Sequence, residues 1–257
     1  MTDDPVGWAP LAATVREALA QRSRPHARPV AACLDGWQPR YDESVLAVGG
    51  VTGSVGTTTV SLAVASAAAR MGPARLIESA SPHRSGLVAA ADAELGTGRG
   101  GWTRGERAGV SLIRRGPASA FSSPPLPPEE DGMFTVLDAG DLLTDAPAGQ
   151  AMAASGVSGW LFEIQPSVPC LRHLELVLDR CPAKHPALAI VGTPSGRWPR
   201  SLVSATQPRT RALIKSGRAV AFRHDRRLAI FGLTPDPLPH HIVASARRLL
   251  LLEGLVE

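Results

Sequence analysis

Residues 44–60 read Ser-Val-Leu-Ala-Val-Gly-Gly-Val-Thr-Gly-Ser-Val-Gly-Thr-Thr-Thr-Val. The first eight, 44–51, are an apolar run without polar alternation, the pattern of a strand buried on both faces. A glycine-rich turn follows. Residues 58–71 (TTVSLAVASAAARM) then continue as an alanine-rich helix that is apolar nearly all round, and therefore internal. A glycine-rich turn feeding a helix N-terminus is an anion site. Its backbone N–H groups have no intrahelical acceptors, and the helix dipole favours negative charge there.

Outward from this unit the same alternation continues. Apolar runs at 74–79, 110–114, 133–138, 159–164, 187–191 and 218–222 read as strands, with helices over 168–180, 202–215 and 240–252. The stretch 96–101 (GTGRGG) reads as loop, as do the proline-rich 122–128 and 234–239. Strands alternating with helices imply an α/β fold of three layers, a mainly parallel sheet covered by helices on both faces. Residues 44–257 form this domain. Residues 1–43 stand apart as a short helix over 8–21, with Leu11, Val15 and Leu19 on one side, and a linker broken at Pro25 and Pro29. Sites in such sheets lie beyond the carboxyl ends of the strands, which points to the turn at 49–59.

Composition narrows the function. The 257 residues are 44% hydrophobic and 19% charged, which excludes wholesale disorder. Three scattered cysteines, Cys33, Cys170 and Cys181, exclude a disulfide scaffold and a CxxC metal site. No apolar run reaches the about 18 residues of a membrane span, and residues 1–10 have no basic region followed by an apolar one. The expectation is a cytoplasmic chain. Of 27 basic residues only Lys184 and Lys215 are lysines, so arginine richness reflects coding bias before it reflects a ligand. The charge is nonetheless uneven. From residue 182 onward there are 12 Lys/Arg against 4 Asp/Glu, while the rest of the chain is net acidic. That asymmetry permits an acidic partner for the C-terminal third, whether nucleic acid, an anionic membrane or an acidic protein, and it equally fits an ordinary solvated surface.

The phosphate-loop pattern G-x-x-x-x-G-K-[ST] aligns with Val51 in place of its first glycine, Gly56 as its second, Thr57 in place of its lysine, and Thr58 as its hydroxyl. The later segments add specificity. Phe134-Thr-Val-Leu-Asp138 is an apolar strand ending in aspartate, and Gly159-Trp-Leu-Phe-Glu-Ile-Gln-Pro166 leads into a turn and helix. Asp225-Arg-Arg-Leu-Ala and 234–239 follow. Taken in order from about residue 44 to the end, these resemble the MinD/ParA group of deviant phosphate-loop ATPases. The resemblance includes the atypical branch that serves as localisation factors in pilus assembly and septum placement. That group's loop reads K-G-G-x-G-K-[ST]-[ST], where this chain has Thr52-Gly53-Ser54-Val55-Gly56-Thr57-Thr58-Thr59. Its second strand ends D-x-D-P-Q, where this chain has Ser79-Ala80-Ser81-Pro82-His83, or, one residue earlier, an acidic Glu78.

The resemblance implies a site by its matches and a loss by its departures. Gly53, Ser54, Val55, Gly56, Thr57, Thr58 and Thr59 would cradle nucleotide phosphates, and Thr58 with Asp138 would hold Mg²⁺ if ATP or ADP binds. Both family lysines are threonine here, Thr52 and Thr57, and Ser79 and Ser81 fill the slots of the water-positioning carboxylate. The family's base-side asparagine is replaced within Ile190-Val-Gly-Thr193. Phosphoryl transfer rests on positioning and charge stabilisation, at about 3 kcal/mol per lost donor, so no turnover and no catalytic residue are expected.

Three functions remain open. The first is a non-hydrolysing scaffold or regulator that acts through another protein, or as a homodimer, in a cell-envelope, division, secretion or DNA-processing assembly. The second is a slow ATP-dependent dimer switch on DNA or membrane, for which an arginine must replace the lysines. The third is a degenerate RecA-like accessory factor in DNA repair. Arg209, Arg211, Lys215, Arg223, Arg226 and Arg227 form the candidate surface for an acidic partner, with direct DNA binding not favoured. The leucine-rich last helix has no aromatic anchor, which favours core packing or a partner interface over membrane contact. His83, the adjacent His240 and His241, and the cysteines have no partner spacing that makes a metal or nucleophilic site.

Overall fold

A computed structural model describes residues 39, 43–80, 82–98, 101–116, 134–143, 157–180, 183 and 185–252. The expected helix over 8–21 and its linker, Ser81, the proline-rich 122–128, Cys33, Cys181, Lys184 and the last five residues lie outside the described residues.

The opening strand runs Ser44–Gly50 (β1) and helix α1 spans Thr57–Ala68, with strand β2 at Ala74–Glu78. Strands β3 (Ala93–Thr97), β4 (Trp102–Arg107) and β5 (Val110–Arg115) follow, then β6 (Phe134–Asp141) and β7 (Gly159–Ile164). Helix α2 (Val168–Arg180) leads to β8 (Pro186–Val191), then α3 (Arg200–Ala205) and α4 (Pro208–Lys215). The described chain closes with β9 (Ala219–Phe222), α5 (Arg226–Phe231) and α6 (His240–Leu252).

Among the described residues the sheet has nine strands, in the order β3-β4-β5-β2-β6-β1-β7-β8-β9. Every pairing from β5 to β9 is parallel, and only β3–β4 and β4–β5 are antiparallel. The chain order turns back across β1, between β6 and β7, so the turn after β1 sits at a switch point. Period-two alternation divides the core. Leu46 and Val48 of β1 face α1 and α6, while Val45 and Ala47 face α2 on the other side. Helix α6 buries Ile242, Ala246, Leu249 and Leu250 against this core, while its last two leucines, Leu251 and Leu252, are exposed. Among the described residues, no helix is long and apolar enough to cross a membrane.

Three expectations are corrected. The 96–101 stretch is not all loop, because Gly96 and Thr97 end β3, which pairs with β4 as a hairpin. Gly96 has φ +83°, and the register shifts there, so glycine makes a bulge possible within the strand. The helix expected over 202–215 is two helices, since Pro208 starts α4 and Thr206 before it is extended. Residues 226–231 form the additional short helix α5, capped by the Asp225 carboxylate accepting from Leu228 N–H.

Candidate functional site

The loop between β1 and α1 is tied to both neighbours of β1. Val51 N–H donates to Glu163 O at 3.1 Å, and Leu142 N–H donates to Gly50 O at 2.9 Å. Gly56, with φ +110°, turns the chain into α1, a left-handed conformation that strains any L side chain. Its carbonyl accepts the first helical bond, from Val60 N–H, which leaves the N–H groups of Thr57, Thr58 and Thr59 without intrahelical acceptors. A cavity of about 230 Å³ opens here, lined by Gly53, Ser54, Gly56, Thr57, Thr58, Thr59, Arg84, Asp138 and Asp141. The structure thus brings six of the seven expected loop residues and Asp138 to one cavity. Val55 lies behind, buried, and lines a second cavity of about 250 Å³. Ser54, Gly56 and Thr59 border both cavities. The second is walled by Val60, Val191, Phe222, Leu228 and Ile242, with Gln165, Arg223, His224 and Asp225 at its polar side. Where the resemblance places a base-side asparagine, Val191 offers no hydrogen bond.

Three buried carboxyls surround the loop, and burial raises the pKa of each. Asp138 is pushed up to about 6, held back in part by Thr58 and by the Gly140 N–H that donates to its Oδ1 at 2.9 Å. Glu78 rises to about 7 through burial and the neighbouring Asp138, although Ser85 Oγ and Gly86 N–H both donate to it. Glu163 rises to about 8, from burial and then from Asp138, with the Thr57 hydroxyl nearby offsetting a part. Neither Glu163 oxygen, nor Asp138 Oδ2, has a hydrogen-bond partner among the described residues. A lysine at position 57 would neutralise this environment, and threonine leaves it without a cation from the loop itself.

The orphaned Asp138 Oδ2 in the cavity wall, beside Thr58, fits the water shell of a magnesium ion carried in by a phosphate group. It does not make a metal site alone, since among the described residues no three His, Cys, Asp or Glu side chains group to hold a metal. The slot where the resemblance places a water-positioning carboxylate has Ser79 and Ser81, of which Ser81 lies outside the described residues. Ser79 spends its hydroxyl on Asp138 O at 2.7 Å, and Glu78 is engaged by Ser85 and Gly86 and does not line the cavity.

Two contributors escaped the sequence argument. Arg84, in the short turn Pro82–Arg84, brings a guanidinium to the cavity, and Glu163 stands under the loop. The expected acidic-partner surface is partly spent internally. Arg209 pairs with Asp179 at 2.8 Å, Arg227 pairs with Asp236 at 2.7 Å, and Arg211 donates to Thr206 O. Lys215, Arg223 and Arg226 are exposed.

No protein-family model matches the sequence, and no curated protein matches it. Solved structures do match. The MinC:MinD cell division protein complex of Aquifex aeolicus aligns with a TM-score of 0.51 at 16% identity, over 80% of this chain and 95% of that one. A plasmid partition protein from Borrelia burgdorferi, bound to AMPPNP, aligns with a TM-score of 0.53 at 10% identity, over 84% and 100% of the two chains. A ParA family ATPase from Chlorobium tepidum gives 0.51 at 11% identity, over 82% and 91%. At such identities the likeness is one of fold: the chain has the MinD/ParA-like P-loop fold.

Proposed function

We propose that this chain is a cytoplasmic, non-hydrolysing P-loop protein of the MinD/ParA type. It acts through protein–protein contact as a scaffold or regulator in a cell-envelope, division, secretion or DNA-processing assembly. The observation that carries this reading is the chemistry at Thr57. The cradle of backbone amides is intact, yet the loop supplies no cation, and two buried carboxyls, Asp138 and Glu163, occupy the space a lysine would neutralise. Backbone dipoles support a phosphate without supporting the charge that develops in its transfer.

The test is calorimetric titration of ATP and ADP with Mg²⁺ into the full chain, with its mass measured alongside and phosphate release assayed over many turnovers. No turnover above background is expected. Phosphate release abolished by Thr58→Ala would overturn the proposal.

One observation favours a second reading, the slow ATP-dependent switch. Arg84 lines the phosphate-side cavity and Arg223 the other, so a cation reaches each from outside the loop. Saturable ATP binding with a mass increase, lost in Arg84→Ala, would establish it.

A further inference from the structure

Helix α5 is held firmly and yet buries none of its residues. Asp225 caps its start, and Arg227 pairs with Asp236 on the segment that follows it. From behind, the buried Arg107 of β4 donates to the carbonyls of Thr234 and Asp236, at 2.6 and 2.5 Å, and so fixes that segment. On this platform Ile230 is 62% exposed and Phe231 70% exposed. Arg226 and Ile230 are four residues apart on the helix and share a face, as do Arg227 and Phe231. Phe231 lines a groove of about 300 Å³ together with Pro237, Leu238 and Pro239, and the paired Arg227 and Asp236 line it too. Arg223 and Arg226 are exposed and have no ion-pair partner among the described residues.

We infer that the α5 tip is the docking surface for an acidic segment of a partner protein, seated with an apolar side chain in the groove beside Phe231. This rests on the proposal that the chain works through a protein partner, and it names the site. Charge fixes the sign of the partner: Arg226 shares a face of α5 with Ile230, Arg223 stands just before the helix, and both lie inside the most basic third of the chain without an ion-pair partner among the described residues. Shape fixes its class. A concave, proline-walled groove takes an inserted side chain, whereas a bilayer presents a flat surface, and a six-residue helix is too short to lie in one. Preorganisation by Arg107, Asp225 and Asp236 keeps the ordering cost of binding low.

The experiment places the photo-crosslinking residue p-benzoylphenylalanine at position 231 of the full chain in its host cell. A second chain carries it at exposed Leu95 on edge strand β3. Crosslinked peptides are sequenced by mass spectrometry. The expected result is a protein adduct at 231 on an acidic stretch, reduced at least tenfold by Arg223→Glu with Arg226→Glu, while the thermal midpoint is unchanged. Adducts at 231 to lipid, to nucleic acid or to a second copy of this chain would overturn the inference, as would an acidic adduct indifferent to the double reversal. Protein adducts at 95 with none at 231 would overturn this site and leave the protein-partner reading standing. Adducts at neither position would overturn this site and count against that reading too.

Discussion

The Thr57 hydroxyl stands beside the carboxyl of Glu163, a side chain with no solvent exposure and no hydrogen-bond partner on either oxygen among the described residues. The two belong to different elements, the first turn of α1 and the middle of the sheet, and they meet because Gly50 and Glu163 are register partners of β1 and β7. A lysine at 57 would place an ammonium between this carboxyl and the cradle. Thr57→Lys is therefore expected to raise affinity for Mg-ATP at least tenfold, about 1.4 kcal/mol, in calorimetry. Thr57→Met, which has length without charge, is the control. Equal affinities for the two variants would show that charge at this position is not what limits binding.

The pH dependence of stability follows from the same carboxyl. An unfolded glutamate titrates near 4.5, and folded Glu163 near 8, so between these values the folded state binds the extra proton. Stability is then fully present below about pH 4.5 as far as this group is concerned, and is lost as pH rises through about 8. Glu78 and Asp138, also raised, act with the same sign at lower pH. Urea unfolding between pH 6 and 9 is expected to show a falling midpoint. Glu163→Gln, which cannot ionise, is expected to flatten the upper part of that fall. A wild-type midpoint that rises over this range would contradict the assignment.

Gly56 makes the turn that aims the amides. Alanine there would be held at φ +110°, with its Cβ 3.1 Å from Glu163 Oε1. Gly56→Ala is expected to cost about 1–2 kcal/mol in denaturant unfolding. Gly72→Ala meets no atom within 4 Å and is not in the left-handed region, so it should change little. The comparison separates backbone strain from the general effect of adding a methyl group.

The parts of this molecule that the sequence exposes are those that local order alone determines. The turn from Gly53 to Thr59 is legible because strand, turn and helix are contiguous, and Asp138 because it closes the apolar run 134–138, although β6 continues to Asp141. The hairpin β3–β4 is hidden for a physical reason: β3 is exposed along its whole length and carries a glycine bulge, so it has no apolar alternation to read. The break before α4 was signalled by Pro208, which disfavours a continuous run and suits the first turn of a new helix, a signal that the apolar spacing across 202–215 masks. Glu163 was visible as a charge inside the apolar Gly-Trp-Leu-Phe-Glu-Ile, yet what it faces depends on the pairing of β7 with β1. Arg84 reaches the cavity only because the turn after β2 folds back beside the loop. Both are tertiary facts.

Arg107 is the most consequential such fact outside the loop. From β4 its guanidinium donates to three carbonyls, those of Ala90, Thr234 and Asp236, and joins the hairpin side of the sheet to the segment between α5 and α6. The side chain is almost wholly buried, and removing it leaves the buried Ala90 carbonyl without a donor and frees the segment that carries Thr234 and Asp236. Arg107→Met, which keeps the length, is expected to lower stability by about 3 kcal/mol. Arg107→Lys should rescue little, because one ammonium cannot reproduce the planar fork that serves both Thr234 and Asp236. Hydrogen exchange distinguishes this tie from a general packing role. In Arg107→Met the amides of α5 and of residues 233–242 should exchange faster relative to those of β7 and β8. A uniform increase across the sheet would mean that Arg107 supports the whole core and does not hold the α5 platform in particular.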